Sequence, residues 1–391
     1  MTKVLAINSG SSSLKFKLFT MPQEIVVFEG IVERIGFEDA IFTYKIKEKK
    51  TSVLPVLDHQ HAVQLVLDTL LAEHVIASYT EIAGVGHRVS HGGAYYSDST
   101  LIDATVEDRI DEISAISPLH NPVNLVGIRT FEKALPQAKQ VAVFDTSFHQ
   151  TMPEKNYLYA LPYEYYEKYG IRRYGFHGPS HQYVSEKALD LAPNSQKMIT
   201  CHIGSGASIA AILNGKSINT SMGFTPLAGL VMGTRTGDID PQILPFIQEQ
   251  EGLTPKEIQT LLNKKSGLLG LSGVSSDCRD IELAANDGNQ RARLALEVFV
   301  HQIVHYIGAY AADLNGLDTL VFTAGVGEHS ATIRQAVCDS LTYLGVQLDP
   351  AKNEKNALQI QDATSKVNVF VIPTDEEVVI ARDVMRIANL K

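Results

Sequence analysis

Short apolar runs that alternate with amphipathic segments dominate the pattern of hydrophobic and polar positions along the chain. Runs of four to seven residues rich in Val, Ile, Leu and Phe predict β-strands, whereas apolar residues at helical spacing predict helices. In the first part we predict strands at 3–7, 14–19, 25–31 and 41–46, helices at 61–74 and 121–134, and a buried strand that ends at Asp145. The run "KIKEKK" is interpreted as a solvated strand end and turn.

The second part repeats this alternation. It predicts a helix at 180–191, a strand and hairpin at 197–213, a helix at 254–264, a long helix at 289–314, the strand "LDTLVFTAG", a Gly-rich turn, a helix at 330–343, the strand "VNVFVI" and a C-terminal helix. Thr254 and Glu257 have the spacing of a capping box, with Pro255 between them at the first turn. Strands that alternate with helices predict the α/β class.

Two segments in equivalent places have the same pattern. "VLAINSGSSSLKFKLF" and "MITCHIGSGASIAAIL" both read as strand, turn of small residues, strand. The length of 391 residues favours two domains. We therefore expect two related domains with a cleft between these hairpins, and we interpret the Tyr- and Pro-rich segment 150–175 as the crossing between them.

Composition excludes several classes of function. The net charge of −10 argues against nucleic acid and anionic membranes as partners. Three cysteines, Cys201, Cys278 and Cys338, are too few for a disulfide framework and indicate a reducing cytoplasm. The few apolar residues before Asn8 do not make a signal peptide, and no apolar run reaches the length of a membrane span.

Three turns of small residues are candidates for phosphate binding: 8–13 ("NSGSSS"), 204–208 ("GSGAS") and 325–330 ("GVGEHS"). Glycine and serine let backbone amides approach a phosphate closely, and Lys15 lies just beyond the first turn. The third turn lacks the acidic residue of a dinucleotide fingerprint, and the chain has no P-loop motif. Soluble surface hairpins are the alternative reading of these turns.

Four cationic or histidine side chains lie beside glycine or proline: Arg88 in "GHRVSHGG", His120 in "PLHNP", His177 in "RRYGFHGPSH" and Arg235 in "GTRTGDIDP". Taken singly, each fits a structural salt bridge or a buried histidine. Together with the phosphate turns they indicate an anion pocket, as phosphoryl transfer requires. Oxygen ligands for a metal are expected from Asn8, Asp145 and Glu376.

With these segments assembled, the sequence resembles the acetate kinases of the acetokinase family over essentially its whole length. The resemblance rests on "NSGSSSLKF", "GHRVSHGG", "PLHNP", "VFDTSFHQTMP", "RRYGFHGPSH", "MGTRTGDIDP", "SSDCRDIE" and "PTDEEVVIARD". It implies two related actin-like, ribonuclease-H-like domains with an active-site cleft between them. We expect residues 1–150 and the helix 376–391 in one domain, and residues 151–375 in the nucleotide-binding domain.

The resemblance also implies Mg²⁺-dependent transfer between ATP and acetate, giving ADP and acetyl phosphate, with Mn²⁺ as an alternative metal. By position it implies catalytic roles for Asp145, His177 and Arg235; substrate contacts from Arg88, Leu119, His120, Phe176 and Pro226; and a metal site at Asn8 and Glu376. The implied ATP-binding residues are Lys15, His202, Ile203, Gly204, Ser205, Gly206, Asp277, Cys278, Arg279, Gly325, Val326, Gly327, Glu328 and His329. A cytoplasmic homodimer is expected, with the aromatic segment 157–174 as a candidate interface.

Four positions depart from the family pattern: Ser205, His329, Asp375 and Ser90. The first two bear on nucleotide affinity, Asp375 on metal choice, and Ser90 on the size and polarity of the acyl pocket. Because acetate is already ionised at neutral pH, the nucleophile needs no base. We therefore expect Asp145 to orient the metal or the arginine side chains, although the family label is acid/base.

Three other functions are alternatives to an acetate kinase. A kinase for propionate or another short acid differs from an acetate kinase by a methylene or two, which sequence inspection does not separate. An ATP-gated binding protein like actin or Hsp70 would need a partner surface and would use water as acceptor, which suits Arg88 and Arg235 less well. A sugar kinase would need polar groups where Leu119, Phe176 and Pro226 are apolar.

Overall fold

A computed structural model describes residues 1–391, which form two compact units. Unit 1 comprises 1–148 and 375–391, and unit 2 comprises 149–374. The strands are β1 Thr2–Ser9, β2 Ser13–Met21, β3 Ile25–Glu33, β4 Phe37–Lys45, β5 Lys49–Val56, β6 Ile82–Val89, β7 Thr100–Leu101, β8 Lys139–Phe144, β9 Lys197–Ile203, β10 Ala207–Leu213, β11 Lys216–Thr220, β12 Thr319–Thr323 and β13 Asn368–Val371.

The α-helices divide between the same units. They are α1 His59–Ala72, α2 Ala104–Ile113, α3 Asn121–Ala134, α4 Glu154–Tyr157, α5 Glu164–Tyr169, α6 Gly178–Leu191, α7 Ile243–Glu251, α8 Pro255–Lys264, α9 Gly267–Ser272, α10 Cys278–Asn286, α11 Gln290–Asp313, α12 Ala324–His329, α13 Ala331–Asp339, α14 Pro350–Glu354 and α15 Glu376–Ile387. Short 3₁₀ turns lie at Tyr79–Glu81, Ser147–Thr151 and Thr342–Leu344.

Unit 1 is built on an eight-stranded sheet in the order β5-β4-β3-β2-β1-β6-β8-β7. Strand β1 pairs antiparallel with β2 and parallel with β6, and β6 pairs parallel with β8. Val85 of β6 belongs to the core that contains the apolar face of α1. Because side chains alternate along a strand, Gly84 and Gly86 face the other side, where a Cβ on either would clash with Val384 or Ile380 of α15. The missing side chains let α15 pack directly on β6.

Unit 2 is built on a five-stranded sheet in the order β11-β10-β9-β12-β13. Its largest core joins Ile209 and Ala211 of β10 to Phe299, Ile303 and Ile307 of α11. Helix α6 packs on β9 and β12. The buried α6 residues Val184 and Ala188 lie outside the core that α11 shares with β10, as expected for the other face of the sheet.

The α/β class with one sheet in each unit confirms the prediction, as do the helix at 121–134 and the capping box of α8. Other predictions were wrong in detail. Strand β1 continues through Asn8 and Ser9, which leaves only 10–12 in the first turn. The expected turn at 325–330 is mostly the helix α12.

Four strands were not predicted from the sequence: β5, β6, β7 and β11. Strand β5 follows "KIKEKK" as an antiparallel partner of β4. Strand β6 contains Arg88, which therefore lies within a strand and not in a turn after one. The aromatic segment 157–174 lies within unit 2, and the chain passes from one unit to the other at 148–149 and 374–375. No helix is both long enough and apolar enough to cross a membrane.

Candidate active site

In unit 1, Arg88 and Asp145 form a bidentate ion pair. Strands β6 and β8 are parallel neighbours, and Asp145 directly follows β8, where its N–H donates to the Val89 carbonyl (2.9 Å). The Arg88 Nε lies 2.7 Å from Asp145 Oδ1, and Nη2 lies 2.9 Å from Oδ2. Burial raises the pKa of Asp145, and the Arg88 guanidinium opposes that shift. Arg88 also forms an ion pair through Nη1 with Glu376 Oε2 (2.9 Å).

The start of α15 carries three consecutive carboxylates, and each is paired with a cation. Asp375 pairs with Lys17 (2.9 Å), Glu376 with Arg88, and Glu377 with Lys15 (2.5 Å) and Lys17 (3.3 Å). Burial opposes ionisation of Glu377, but the two lysines hold its pKa at about 2. Acidic groups here also face the positive end of the helix dipole. Glu377 therefore stays ionised at neutral pH.

The predicted metal-site residues Asn8 and Glu376 lie in the same region of unit 1. Asn8 is opposite Lys15 in the β1–β2 pair, and Lys15 contacts Glu377, the neighbour of Glu376. An amide and a carboxylate oxygen fit Mg²⁺, which binds proteins through few ligands and takes substrate phosphates and water for the rest. No group of three or more His, Cys, Asp or Glu residues is arranged to hold a metal ion.

The predicted acyl-pocket residues differ in exposure. In unit 1, Leu119 is 56% exposed, and the exposed His120 is the N-cap residue of α3. In unit 2, Phe176 is buried and its carbonyl oxygen bonds with His149 Nε2 (2.9 Å). The half-buried Pro226 bonds through its carbonyl with Arg235 Nη1 (3.2 Å).

In unit 2, His177 and Arg235 converge on the second predicted phosphate turn. A Cβ placed on Gly206 would lie 3.5 Å from Arg235 Nη1 and 3.6 Å from His177 Nε2. His177 has a left-handed backbone (φ 57°) just before α6 and stacks on His202, with ring centroids 4.1 Å apart. Left-handed backbone at a residue other than glycine is strained and often marks a functional position. The lack of a Gly206 side chain leaves room for a group that accepts from both donors.

A cavity of about 360 Å³ lies beside this turn in unit 2. Residues from all three predicted nucleotide segments line it, together with others: Gly204, Ser205, Gly233, Leu268, Ser276, Asp277, Cys278, Arg279, Glu282, Gly325, Val326, His329 and Ser330. Asp277 caps α10, and Arg279 folds back on it (Nη2–Oδ2 2.6 Å), which with the Arg279 backbone N–H holds the pKa of Asp277 at about 2.

Six predicted nucleotide-binding residues do not line that cavity: Lys15, His202, Ile203, Gly206, Gly327 and Glu328. His202 Nδ1 bonds with Ser180 Oγ (2.7 Å) and supports His177 by stacking. Glu328 accepts from the N–H groups of Ala324 (2.8 Å) and Thr374 (3.1 Å), which is a structural role at the start of α12. Lys15, also predicted to bind ATP, belongs to unit 1 and pairs with Glu377 there.

A model described as Acetokinase family matches residues 3–382. The chain belongs to the acetokinase family. Over 100% of both chains it is 57% identical to the acetate kinase of Geobacillus kaustophilus and 55% identical to that of Bacillus subtilis. Among solved structures, the acetate kinase of Porphyromonas gingivalis superposes with a TM-score of 0.94 at 47% identity, covering 99% of this chain and 100% of the other. A propionate kinase from Francisella tularensis also superposes with a TM-score of 0.94, at 41% identity over 98% and 99% of the chains.

The four departures from the acetokinase pattern can now be placed. Ser205 and His329 both line the nucleotide-site cavity. Ser90 is half-buried, and its N–H donates to the Asn124 side chain (3.0 Å). Asp375 is the N-cap of α15, and its charge is neutralised by Lys17.

Sequence reasoning missed several residues that the structure brings to the site. Glu282 and Ser330 line the cavity and share a hydrogen bond of 2.5 Å. Both stand within motifs that were recognised, one helical turn beyond Cys278 and one residue beyond His329. Helical spacing was the available signal for Glu282, since i and i+4 share a face. Glu377 gave no signal, because its partners Lys15 and Lys17 are far away in sequence.

Proposed function

We propose that this acetokinase catalyses the reversible transfer of the terminal phosphoryl group of ATP to acetate, giving ADP and acetyl phosphate by direct in-line displacement. The observation that carries the proposal is the convergence of His177 Nε2 and Arg235 Nη1 on Gly206, at the edge of a cavity lined by the predicted nucleotide segments. The names of the full-length relatives support acetate as the acceptor.

The cavity in unit 2 holds the nucleotide in this proposal. Its lining offers the apolar side chains of Leu268, Cys278 and Val326 to the faces of a base. Because Gly204 and Gly325 lack side chains, a phosphate chain can approach the backbone at both turns, and a Cβ on Gly325 would meet no atom within 4 Å. Arg279, which is exposed and paired with Asp277, is placed to exchange that partner for a phosphate oxygen.

Arg88 binds the carboxylate of the acceptor. A guanidinium has five N–H donors, and the hydrogen bonds to Asp145 use two of them, while Nη1 also forms an ion pair with Glu376. Donors on Nη1 and Nη2 remain for acetate. Asp145 acts by fixing the plane of the guanidinium, and it removes no proton, because the acetate oxygen that attacks phosphorus is already ionised.

Asn8 and Glu376 are the residues that would hold Mg²⁺, with Mn²⁺ as the alternative metal. When bound, the ion neutralises charge on the β- and γ-phosphate oxygens. Glu376 is held for that task by its contact with Arg88, which couples the acceptor-binding residue to the metal ligand.

In the transfer step, an acetate oxygen forms a bond to the terminal phosphorus while the bond to the β–γ bridging oxygen breaks, and that electron pair leaves on ADP. Charge spreads over the three equatorial oxygens of the transferred group. His177 and Arg235 donate hydrogen bonds to those oxygens. Burial lowers the pKa of Arg235, but a guanidinium remains charged at neutral pH.

Two finer points belong to the same proposal. The physiological acid is acetate, and propionate is the alternative, since a single methylene changes binding by only about 1–3 kcal/mol.

The protein is a cytoplasmic homodimer, with 157–174 as part of the interface. Exposed aromatic side chains in that segment, including Tyr163 and Tyr169, support this assignment, and the three buried free cysteines suit a reducing compartment. That units 1 and 2 are two related domains stays a prediction.

The test is acetate-dependent formation of acetyl hydroxamate from ATP and hydroxylamine, followed by a panel of short carboxylates and nucleotides read as kcat/KM. We expect the highest kcat/KM with acetate and ATP and a requirement for a divalent metal. ATP hydrolysis that does not depend on acetate would contradict the proposal. A higher kcat/KM with propionate than with acetate would identify propionate as the acceptor.

A further inference from the structure

A continuous chain of hydrogen bonds lies behind His177 in the interior of unit 2. His177 Nδ1 lies 2.9 Å from Ser208 Oγ, Ser208 Oγ lies 2.8 Å from His181 Nε2, and His181 Nδ1 lies 2.7 Å from Thr200 Oγ1. Thr200, His181 and Ser208 are all fully buried. These contacts form a relay of four side chains that ends at the ring proposed to face the phosphoryl group.

Secondary structure fixes the order of the relay. His177 immediately precedes α6, and His181 lies four residues later in the helix, where its N–H donates to the His177 carbonyl (3.0 Å). Both rings contact the same Ser208 hydroxyl. In the β9–β10 pair, Thr200 is opposite Ala210, two positions from Ser208. Side chains two apart in a strand point to the same face, so Ser208 and Thr200 both face α6.

A neutral imidazole has one N–H and one acceptor nitrogen, so each contact in the relay has a definite direction. His181 is neutral, because burial holds its pKa well below 6.5 and the neighbouring His149 and His202 add to that shift. The two rings are the only hydrogen-bond partners of the Ser208 hydroxyl, and a buried hydroxyl proton normally has an acceptor. Ser208 therefore donates to one ring and accepts from the other. The relay therefore has only two consistent directions.

The group that faces His177 Nε2 selects between them. Nε2 points to the space over Gly206, together with Arg235 Nη1. A phosphoryl oxygen in that space accepts hydrogen bonds and cannot donate them, so Nε2 must carry a proton. In a neutral His177 ring, Nδ1 is then an acceptor and receives the Ser208 proton, Ser208 accepts from His181 Nε2, and His181 Nδ1 accepts from the Thr200 hydroxyl.

We propose that Ser208, oriented by His181, is a positioning residue that fixes His177 in the tautomer with its proton on Nε2 when phosphate occupies the site. The inference rests on the proposed role of His177 in the transfer step. It adds that the donor strength of His177 depends on a buried hydroxyl that touches no substrate. Without Ser208, a neutral His177 is free to place its proton on Nδ1 and to present a lone pair to the phosphoryl oxygens.

The kinetic test is Ser208→Ala, with Ser208→Thr as the variant that keeps the hydroxyl. We expect Ser208→Ala to lower kcat by about tenfold or more, the cost of one charge-assisted hydrogen bond in the transition state, with KM values for ATP and acetate nearly unchanged. Ser208→Thr should recover most of kcat. Ser195→Ala is the matched control, because Ser195 is also buried and bonds with a hydroxyl, that of Thr319 (2.7 Å), but lies outside the relay.

The direct test uses the wild-type enzyme and therefore does not depend on the variants folding. ¹⁵N spectra of histidine-labelled protein with Mg²⁺ and a non-hydrolysable ATP analogue report which ring nitrogen of His177 is protonated. We expect protonation at Nε2 in wild type and a mixture in Ser208→Ala. Protonation at Nδ1 in the liganded wild type overturns the proposal, as does a Ser208→Ala variant with wild-type kcat.

His177→Ala separates this proposal from the one on which it rests. If kcat falls in His177→Ala but not in Ser208→Ala, the positioning role of Ser208 is rejected and the role of His177 in the transfer step stands. An unchanged kcat in His177→Ala overturns both, whereas the hydroxamate assay on the wild-type enzyme still reports the acetate kinase activity by itself.

Discussion

The Arg88 guanidinium and the Asp145 carboxylate meet through two parallel hydrogen bonds of 2.7 and 2.9 Å, at the carboxyl ends of two adjacent parallel strands of one sheet. Bidentate pairs of this kind fix orientation as well as charge. The plane of the guanidinium is therefore set before any substrate arrives. Its remaining contact, with Glu376, ties the same group to the start of α15.

Asp145→Asn tests whether this carboxylate orients Arg88 or acts as a base. We expect kcat/KM for acetate to fall by roughly 10–100-fold, because one charge-assisted hydrogen bond in a buried pair is lost. Raising the pH should not restore the rate, whereas a change of divalent metal should restore part of it. The measurement is kcat/KM for acetate against pH with Mg²⁺ and with Mn²⁺, and full recovery at high pH would assign Asp145 as a base.

Gly206→Ala tests the space in front of His177 and Arg235. The added methyl would make contacts no closer than 3.5 Å, so the fold should tolerate it. It would, however, occupy the position where both donors meet. We expect an unchanged melting temperature and a fall in kcat of about 10²-fold, the effect of weakening two transition-state hydrogen bonds. A variant with near-normal kcat would show that the phosphoryl group binds elsewhere.

Glu376→Gln tests the metal site in unit 1. The variant keeps the size of the side chain and loses the charge, so the Mg²⁺ concentration for half-maximal rate should rise by about tenfold or more. Asp375→Asn is the matched control. Its charge is already neutralised by Lys17 and asparagine can still cap α15, so its Mg²⁺ dependence should stay close to wild type. Equal effects of the two changes would rule out a specific ligand role for Glu376.

His87→Gln tests the pH dependence of stability. His87 is buried against Gln140 (Nε2–Oε1 2.8 Å), and burial lowers its pKa from 6.5 to about 4. Between these values the unfolded chain binds a proton that the folded chain does not, so stability rises with pH. This histidine should contribute up to about 1.4 kcal/mol per pH unit to the slope of the free energy of unfolding.

Urea unfolding of wild type and His87→Gln between about pH 5 and 6 measures that slope. The variant should have the flatter dependence, whatever its stability at pH 7. His305→Gln, a change on the exposed face of α11, is the control and should leave the slope unchanged. A slope equal to wild type in His87→Gln would mean that His87 is protonated in the folded state.

The sequence predicts the local features of this protein better than its long-range ones. Glycine-rich turns and the motifs around Arg88, His177 and Asp277 carry their signal within a few residues, and the cavity collects three such motifs. Strand β6 was missed because Gly84 and Gly86 interrupt its apolar pattern, although they are what lets α15 approach. The pairing of Glu377 with Lys15 is set by tertiary structure, which periodicity in a single segment does not report.

The histidine network shows the same limit. His181 and Ser208 stand inside recognised segments, yet nothing in those segments indicates that the two side chains touch. Their contact depends on the packing of α6 against β9 and β10, and hence on how a helix face meets a sheet face.

Because α15 comes last along the chain but covers β1 and β6 near its start, unit 1 can finish folding only after residues 376–387 have been synthesised. Unit 2 is continuous in sequence and meets no such delay. During translation, all residues of unit 2 are therefore made before the last residues of unit 1. Until then one face of the first sheet is a hydrophobic surface that a chaperone would recognise.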